Sequence, residues 1–124
     1  MEQTVFLGWC DDVPGLLSLA DVFVLPSESE GFPRSILEAF AMEVPVIATP
    51  AGGTDELVND QKSGLLVDKI EVEEFAKLIT KLYEYPSKRN ELSQFAKEKV
   101  HSELSIDQYV SNFEHFIKSK VATD

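Results

Sequence analysis

Hydrophobic positions along this chain fall into short unbroken runs separated by amphipathic stretches. Val5-Phe6-Leu7-Gly8 is such a run, ends in glycine, and predicts a buried strand. Val13, Leu16, Leu17 and Ala20 then recur at helical spacing, with Asp12 placed to cap the helix and Pro14 in its first turn. Val22 to Leu25 is a second apolar run without alternation, closed by Pro26. Continuous apolar strands need cover on both faces, which predicts a parallel sheet.

Pro33 suits the first position of a helix reaching Met42, with Ile36, Leu37, Phe40 and Ala41 as its apolar stripe. Pro45 to Ala48 predicts the third strand, Gly52-Gly53 a loop, Thr54 to Asn59 a short helix, and Gly64 to Val67 the fourth strand. The pattern then turns wholly helical. Val72, Phe75, Ala76, Ile79 and Leu82 mark one amphipathic helix. Leu92, Phe95, Ala96 and Val100 mark another beyond the break at Pro86-Ser87. Ser105 to Gln108 reads as a capping box opening a last helix with Ile106, Tyr109, Val110, Phe113 and Ile117 on one face. Strands alternating with helices predict an α/β, Rossmann-like three-layer fold, with a mostly parallel four-stranded sheet and a helical C-terminal tail.

Composition narrows the function. The 124 residues predict one domain, and a formal charge of −11 argues against nucleic-acid binding, which needs a basic footprint. No apolar run is long enough to span a bilayer, and Met1-Glu2-Gln3 does not open like a secretory signal. The single cysteine, Cys10, has no partner for an internal disulfide and fits a reducing compartment. No metal-ligand spacing is present: His101 and His115 stand alone in the helical tail, and Cys10 has no base or metal partner beside it.

In an α/β fold, ligands bind at the carboxyl ends of the strands. The richest loop there opens the stretch SESEGFPRSILEA, from Ser27 to Ala39. Glu30 and Glu38 flank a helix start, where free amides and the positive end of the helix dipole would receive an anion. Gly31, Phe32, Arg34 and Ser35 supply candidate amides, and Arg34 adds a guanidinium; Pro33 has no amide hydrogen. Acids beside an anion site make sense when the ligand carries diols on either side of its phosphates, because a carboxylate accepts two hydrogen bonds from a vicinal diol. A sugar nucleotide has that order: hexose, diphosphate, ribose. The residues equally allow Glu30 to be a loop acid stabilised by the dipole and Glu38 to pair with Arg34 four residues earlier. Chemistry alone leaves both readings open.

The stretch SESEGFPRSILEAFA resembles the acid-seven-acid motif of the family 4 retaining glycosyltransferases, which have two Rossmann-like domains. The likeness extends from about Thr4 to Val67, through Ala20-Asp21-Val22-Phe23-Val24-Leu25-Pro26-Ser27, Pro45 to Thr49, Gly52-Gly53, Glu56 and Gly64 to Val67. It implies that Glu30 meets the transferred sugar and supports charge at its anomeric carbon. Gly31, Phe32, Arg34 and Ser35 would hold the sugar and phosphate, and Glu38 the ribose hydroxyls. Trp9, Cys10 and Asp11 would border the base. The donor would be a UDP- or GDP-linked hexose, used with retention and with no protein-bound metal or other cofactor. Pro33 departs from the glycine of many members and removes one amide contact.

The resemblance also implies that residues 1–124 form a partial C-terminal, donor-binding domain, inactive alone, of a two-domain (GT-B) cytoplasmic enzyme, peripheral at the inner face of the membrane and making cell-envelope or other polysaccharide. Two strands of the family's donor domain, with their phosphate-binding Arg and Lys, and the N-terminal acceptor domain have no counterpart here. Without those strands, Val5 to Leu7 is expected to slide beside Val22 to Leu25, or another chain to fill the gap, giving self-association through the incomplete sheet. Competing readings are weaker. Asp11-Asp12 and Thr49 suggest a receiver-like signalling domain, but Pro26-Ser27 stands where a phosphate-accepting aspartate is needed, and Lys69 lies beyond an acid. No G-x-G-x-x-G follows the first run, against a dinucleotide site. A catalytically silent scaffold remains compatible with the fold.

Overall fold

The structure is a computed structural model, which describes residues 3–28, 31, 33–58 and 61–102. The elements run α1 (Val13–Leu19), β1 (Phe23–Leu25), α2 (Arg34–Ala41), β2 (Val46–Ala48), α3 (Thr54–Leu57), β3 (Leu65–Leu66), α4 (Val72–Glu84) and α5 (Pro86–Ser102). The expected last helix after Ser105, with His115, lies outside the described residues.

Among the described residues the sheet has three parallel strands in the order β1-β2-β3, with Phe23 opposite Val46 and Ile47 opposite Leu65. The expected sheet of four strands is one short among the described residues, and the strand that is missing is the first, Val5 to Leu7; the one expected at Gly64 to Val67 is β3. Val5 to Leu7 joins no strand, and Val5 and Phe6 are 74% and 89% exposed. The segment therefore does not slide beside β1. Three apolar residues without a ladder partner leave their amides and carbonyls to water, and the short run cannot hold a strand alone.

The continuous apolar pattern has the expected cause. β2 is buried at all three residues and presents alternate side chains to two cores. Val46 and Ala48 join Leu17 of α1, Ile36, Ala39 and Phe40 of α2, Leu57 of α3, and Ala96 and Val100 of α5. Ile47 joins Leu65, Val67, Phe75 and Leu82 of α4, and Leu92 of α5. Helices thus cover both faces, and α5 contributes to both cores. Central parallel strands require such cover.

Ends of elements are set by local chemistry. Asp12 Oδ1 accepts from the Gly15 amide at 3.0 Å and caps α1. α2 ends in a Schellman turn, in which Val44 N donates to Ala39 O and Glu43 N to Phe40 O, with Glu43 in the left-handed region at φ +60°. Glu73 and Glu74 in the first turn of α4 and Lys81 in its last complement the helix dipole. Arg89 Nη1 donates to Leu82 O at 2.7 Å and closes the carboxyl end of the same helix.

Candidate functional site: the loops at the carboxyl ends of β1 and β2

Adjacent parallel strands bring their carboxyl-end loops side by side. The loop after β1 leads into α2, and the loop after β2 leads into α3. Two hydrogen bonds join them. Thr49 Oγ1 donates to Ser27 O at 2.5 Å, and the Gly53 amide donates to Gly31 O at 3.0 Å. The main-chain ladder extends to the loop's base, with the Thr49 amide on Leu25 O at 3.2 Å.

α2 starts one residue later than the sequence suggested. Pro33 is its N-cap, buried and without a side-chain cap, and Arg34 is its first residue. A proline cannot supply a capping oxygen from its side chain, so the first amides are left to something else. The Ile36 amide turns back to Pro33 O at 3.1 Å. The amides of Arg34 and Ser35 have no acceptor among the described residues.

The side chains of α2 sort by face. Ile36, Ala39 and Phe40 are fully buried, which fixes the rotation of the helix. Arg34 is exposed, Ser35 and Glu38 are half-buried, and Gly31 at the mouth of the loop is exposed. Glu38 stands on the second turn. Among the described residues neither Glu38 nor Arg34 belongs to an ion pair, so the intrahelical pairing that the spacing allowed is not formed. Glu30 and Phe32 lie outside the described residues.

Trp9, Cys10 and Asp11 form a separate group. Trp9 is 92% exposed, and its indole Nε1 donates to Asp11 Oδ1 at 2.7 Å. Cys10 is half-buried and free. Gly8, just before them, takes φ +66°, a backbone turn that favours glycine. Among the described residues no hydrogen bond or ion pair joins residues 9–11 to residues 27–38.

Sequence reasoning missed what Thr49 and Gly53 do. Thr49 is 5% exposed, and a buried hydroxyl needs a partner, so a threonine closing a buried strand was a signal for a bond to the neighbouring loop. Gly53 is tightly placed: a methyl group there would lie 2.9 Å from the Gly31 carbonyl oxygen and 3.8 Å from Pro33 Cδ. A glycine pair was legible as a turn. Its approach to a second backbone was not, because that depends on strand order.

Comparison with known proteins gives the site its context. The family model described as "Glycosyl transferases group 1" matches residues 1–99. The lipopolysaccharide core biosynthesis glycosyltransferase LpsE of Rhizobium meliloti is 31% identical over 115 residues, covering 93% of this chain and 34% of that protein. Anabaena HepE, solved in complex with UDP-glucose, superposes with a TM-score of 0.85 at 29% identity, over 92% of this chain and 32% of that one. The C-terminal domain of the group 1 glycosyl transferase LpcC from Francisella tularensis superposes with a TM-score of 0.74 at 28% identity, over 83% of this chain and 53% of that one. The chain thus spans about a third of the length of LpsE and HepE. With the parallel sheet covered on both faces and the matched loops at its carboxyl edge, the chain belongs to the glycosyl transferases group 1 family and has a Rossmann-like α/β fold of the GT-B type.

Proposed function

We propose that this chain is the donor-binding part of a retaining, family 4 hexosyltransferase, and that its ligand is a UDP-linked sugar. The observation that carries the reading is Glu38: half-buried on α2, unpaired among the described residues, and one turn beyond the free amides of Arg34 and Ser35. A carboxylate kept clear of cations there is available to a neutral diol. HepE, which shares the fold at 29% identity, was solved with UDP-glucose, and this favours uridine over guanosine.

In this reading the pyrophosphate rests on the amides of Gly31, Arg34 and Ser35 and on the positive end of α2. Phe32 borders the sugar-phosphate end. Glu38 accepts hydrogen bonds from the ribose hydroxyls. Glu30 faces the hexose, where its negative charge stabilises the positive charge that develops at the anomeric carbon as the bond to the diphosphate breaks. The acceptor oxygen replaces the diphosphate at the anomeric carbon with the configuration kept; the diphosphate leaves with the electron pair of the broken bond, and the acceptor hydroxyl gives up its proton. Trp9, Cys10 and Asp11 border the base. The acceptor is held by a second domain, and the product is an envelope polysaccharide, as the printed role of LpsE suggests. The enzyme works in the cytoplasm against the inner face of the membrane. Among the described residues no helix is long and apolar enough to cross a membrane.

Titration of the ¹⁵N-labelled chain with UDP-glucose tests this. The amides of Gly31, Arg34, Ser35 and Glu38 should shift together and saturate at millimolar ligand. Shifts confined to α4 and α5, or none at all, would remove the assignment.

A further inference from the structure

We propose that Thr49 and Gly53 are positioning residues that hold the Glu30-bearing loop at both ends and thereby set affinity for the sugar half of the donor. The proposal rests on the reading of Glu30 given above and adds the device that places it.

Ser27 and Gly31 bracket Glu28, Ser29 and Glu30 in the sequence. Each bracketing residue gives its carbonyl to the neighbouring loop, Ser27 to the Thr49 hydroxyl at 2.5 Å and Gly31 to the Gly53 amide at 3.0 Å. Both donors come from the one loop that follows β2, and β2 is the central, fully buried strand. The reference frame is therefore the most deeply buried strand of the sheet. Both acceptors are main-chain oxygens, so the clamp ties Ser27 and Gly31 by their backbone.

The two contacts differ in how they can fail. Thr49→Val keeps the shape of the side chain and removes the donor to Ser27 O. Thr49→Ser keeps the donor. Gly53→Ala keeps the amide but puts a methyl group 2.9 Å from Gly31 O, so the contact between the two loops must shift. A charge-assisted hydrogen bond to the sugar that is lost or misaligned weakens binding about tenfold, so each variant should cost affinity on that scale.

The test uses the chain itself, with UDP-glucose and UDP as separate probes. In the ligand-free protein, hydrogen exchange should show the Gly53 amide protected, and Thr49→Val should shift the Ser27 to Gly31 resonances while Thr49→Ser leaves them in place. With ligand, Thr49→Val and Gly53→Ala should weaken UDP-glucose about tenfold and UDP less than about threefold, since only the sugar meets Glu30, and Thr49→Ser should restore binding. A Gly53 amide exchanging like free coil overturns the proposal, as does equal weakening of both ligands. If the unaltered chain bound neither ligand, the donor-site reading would fall, and with it the claim on sugar affinity; the ligand-free exchange and shift data would still decide whether the clamp exists.

Discussion

Lys99 on α5 reaches across to the carboxyl end of α3 and donates from Nζ to the carbonyl of Leu57 at 2.9 Å. α3 has four residues, too few to stand alone, and it begins immediately after Gly53. A cation on its last carbonyls complements the helix dipole and holds the helix in place. α5 thus supports the loop at the mouth of the site.

Replacing Lys99 by methionine keeps the aliphatic stem and removes the charged donor. Stability should fall by about 1.5 kcal/mol, the lower end of the scale for a hydrogen bond from a charged group. Urea unfolding followed by circular dichroism measures it. An unchanged midpoint would show that α3 is held by Leu57 and Val58 packing alone.

Gly64 is fixed by packing. A methyl group there would meet Val46 O at 2.9 Å and Val58 Cγ1 at 2.8 Å. The first of these is backbone of the central strand and has no rotamer to escape into. Gly64→Ala should therefore cost about 2 kcal/mol, the scale of overpacking in a dense core. The thermal midpoint of this variant against the parent is the measurement.

Glu43 stands at φ +60° and reaches Lys97 Nζ at 2.7 Å, with both side chains about two-fifths exposed. An ion pair that open contributes little, whereas a non-glycine residue in the left-handed region costs about 1 kcal/mol. Glu43→Gly should thus leave stability equal or raise it by about 0.5 kcal/mol, and Glu43→Val should lower it by more than about 1 kcal/mol, because branching worsens the strain. Chemical denaturation of the pair of variants separates the two contributions.

Trp9 is the only tryptophan in the sequence, and it is almost fully exposed, tied to Asp11. Its emission should be that of an indole in water, and UDP should quench or shift it if this loop borders the base. Trp9→Ala should abolish the signal and weaken UDP by about threefold, the scale of one lost stacking contact. A spectrum insensitive to saturating UDP would remove residues 9–11 from the site.

The order of elements was legible because the strands are buried on both faces. Val22 to Leu25 and Pro45 to Ala48 read as unbroken apolar runs, and in the structure Phe23 and Leu25 face one core while Val24 faces the other. The helix after Pro33 was legible to within one residue from its stripe, since Ile36 and Phe40 are the side chains it buries. Val5 to Leu7 carried the same local signal and gave no strand, because a strand needs a neighbour and none of the described residues supplies one. The acids of the site were legible as residue types at a spacing. Which of them pairs was not: Arg34 and Glu38 fit the rule for an intrahelical ion pair and do not form one. The bonds from Thr49 and Gly53 to the acid loop depend on β1 lying next to β2, which no local pattern states.

The central claim is that Glu38 holds the ribose and Glu30 the hexose. Calorimetric titration of Glu38→Gln and Glu30→Gln with UDP and with UDP-glucose tests it most directly. Glu38→Gln should weaken both ligands by about tenfold, the loss of a charge-assisted hydrogen bond, and Glu30→Gln should weaken UDP-glucose alone. Unchanged affinity in Glu38→Gln, or a Glu30→Gln variant that loses UDP and UDP-glucose alike, would contradict the account.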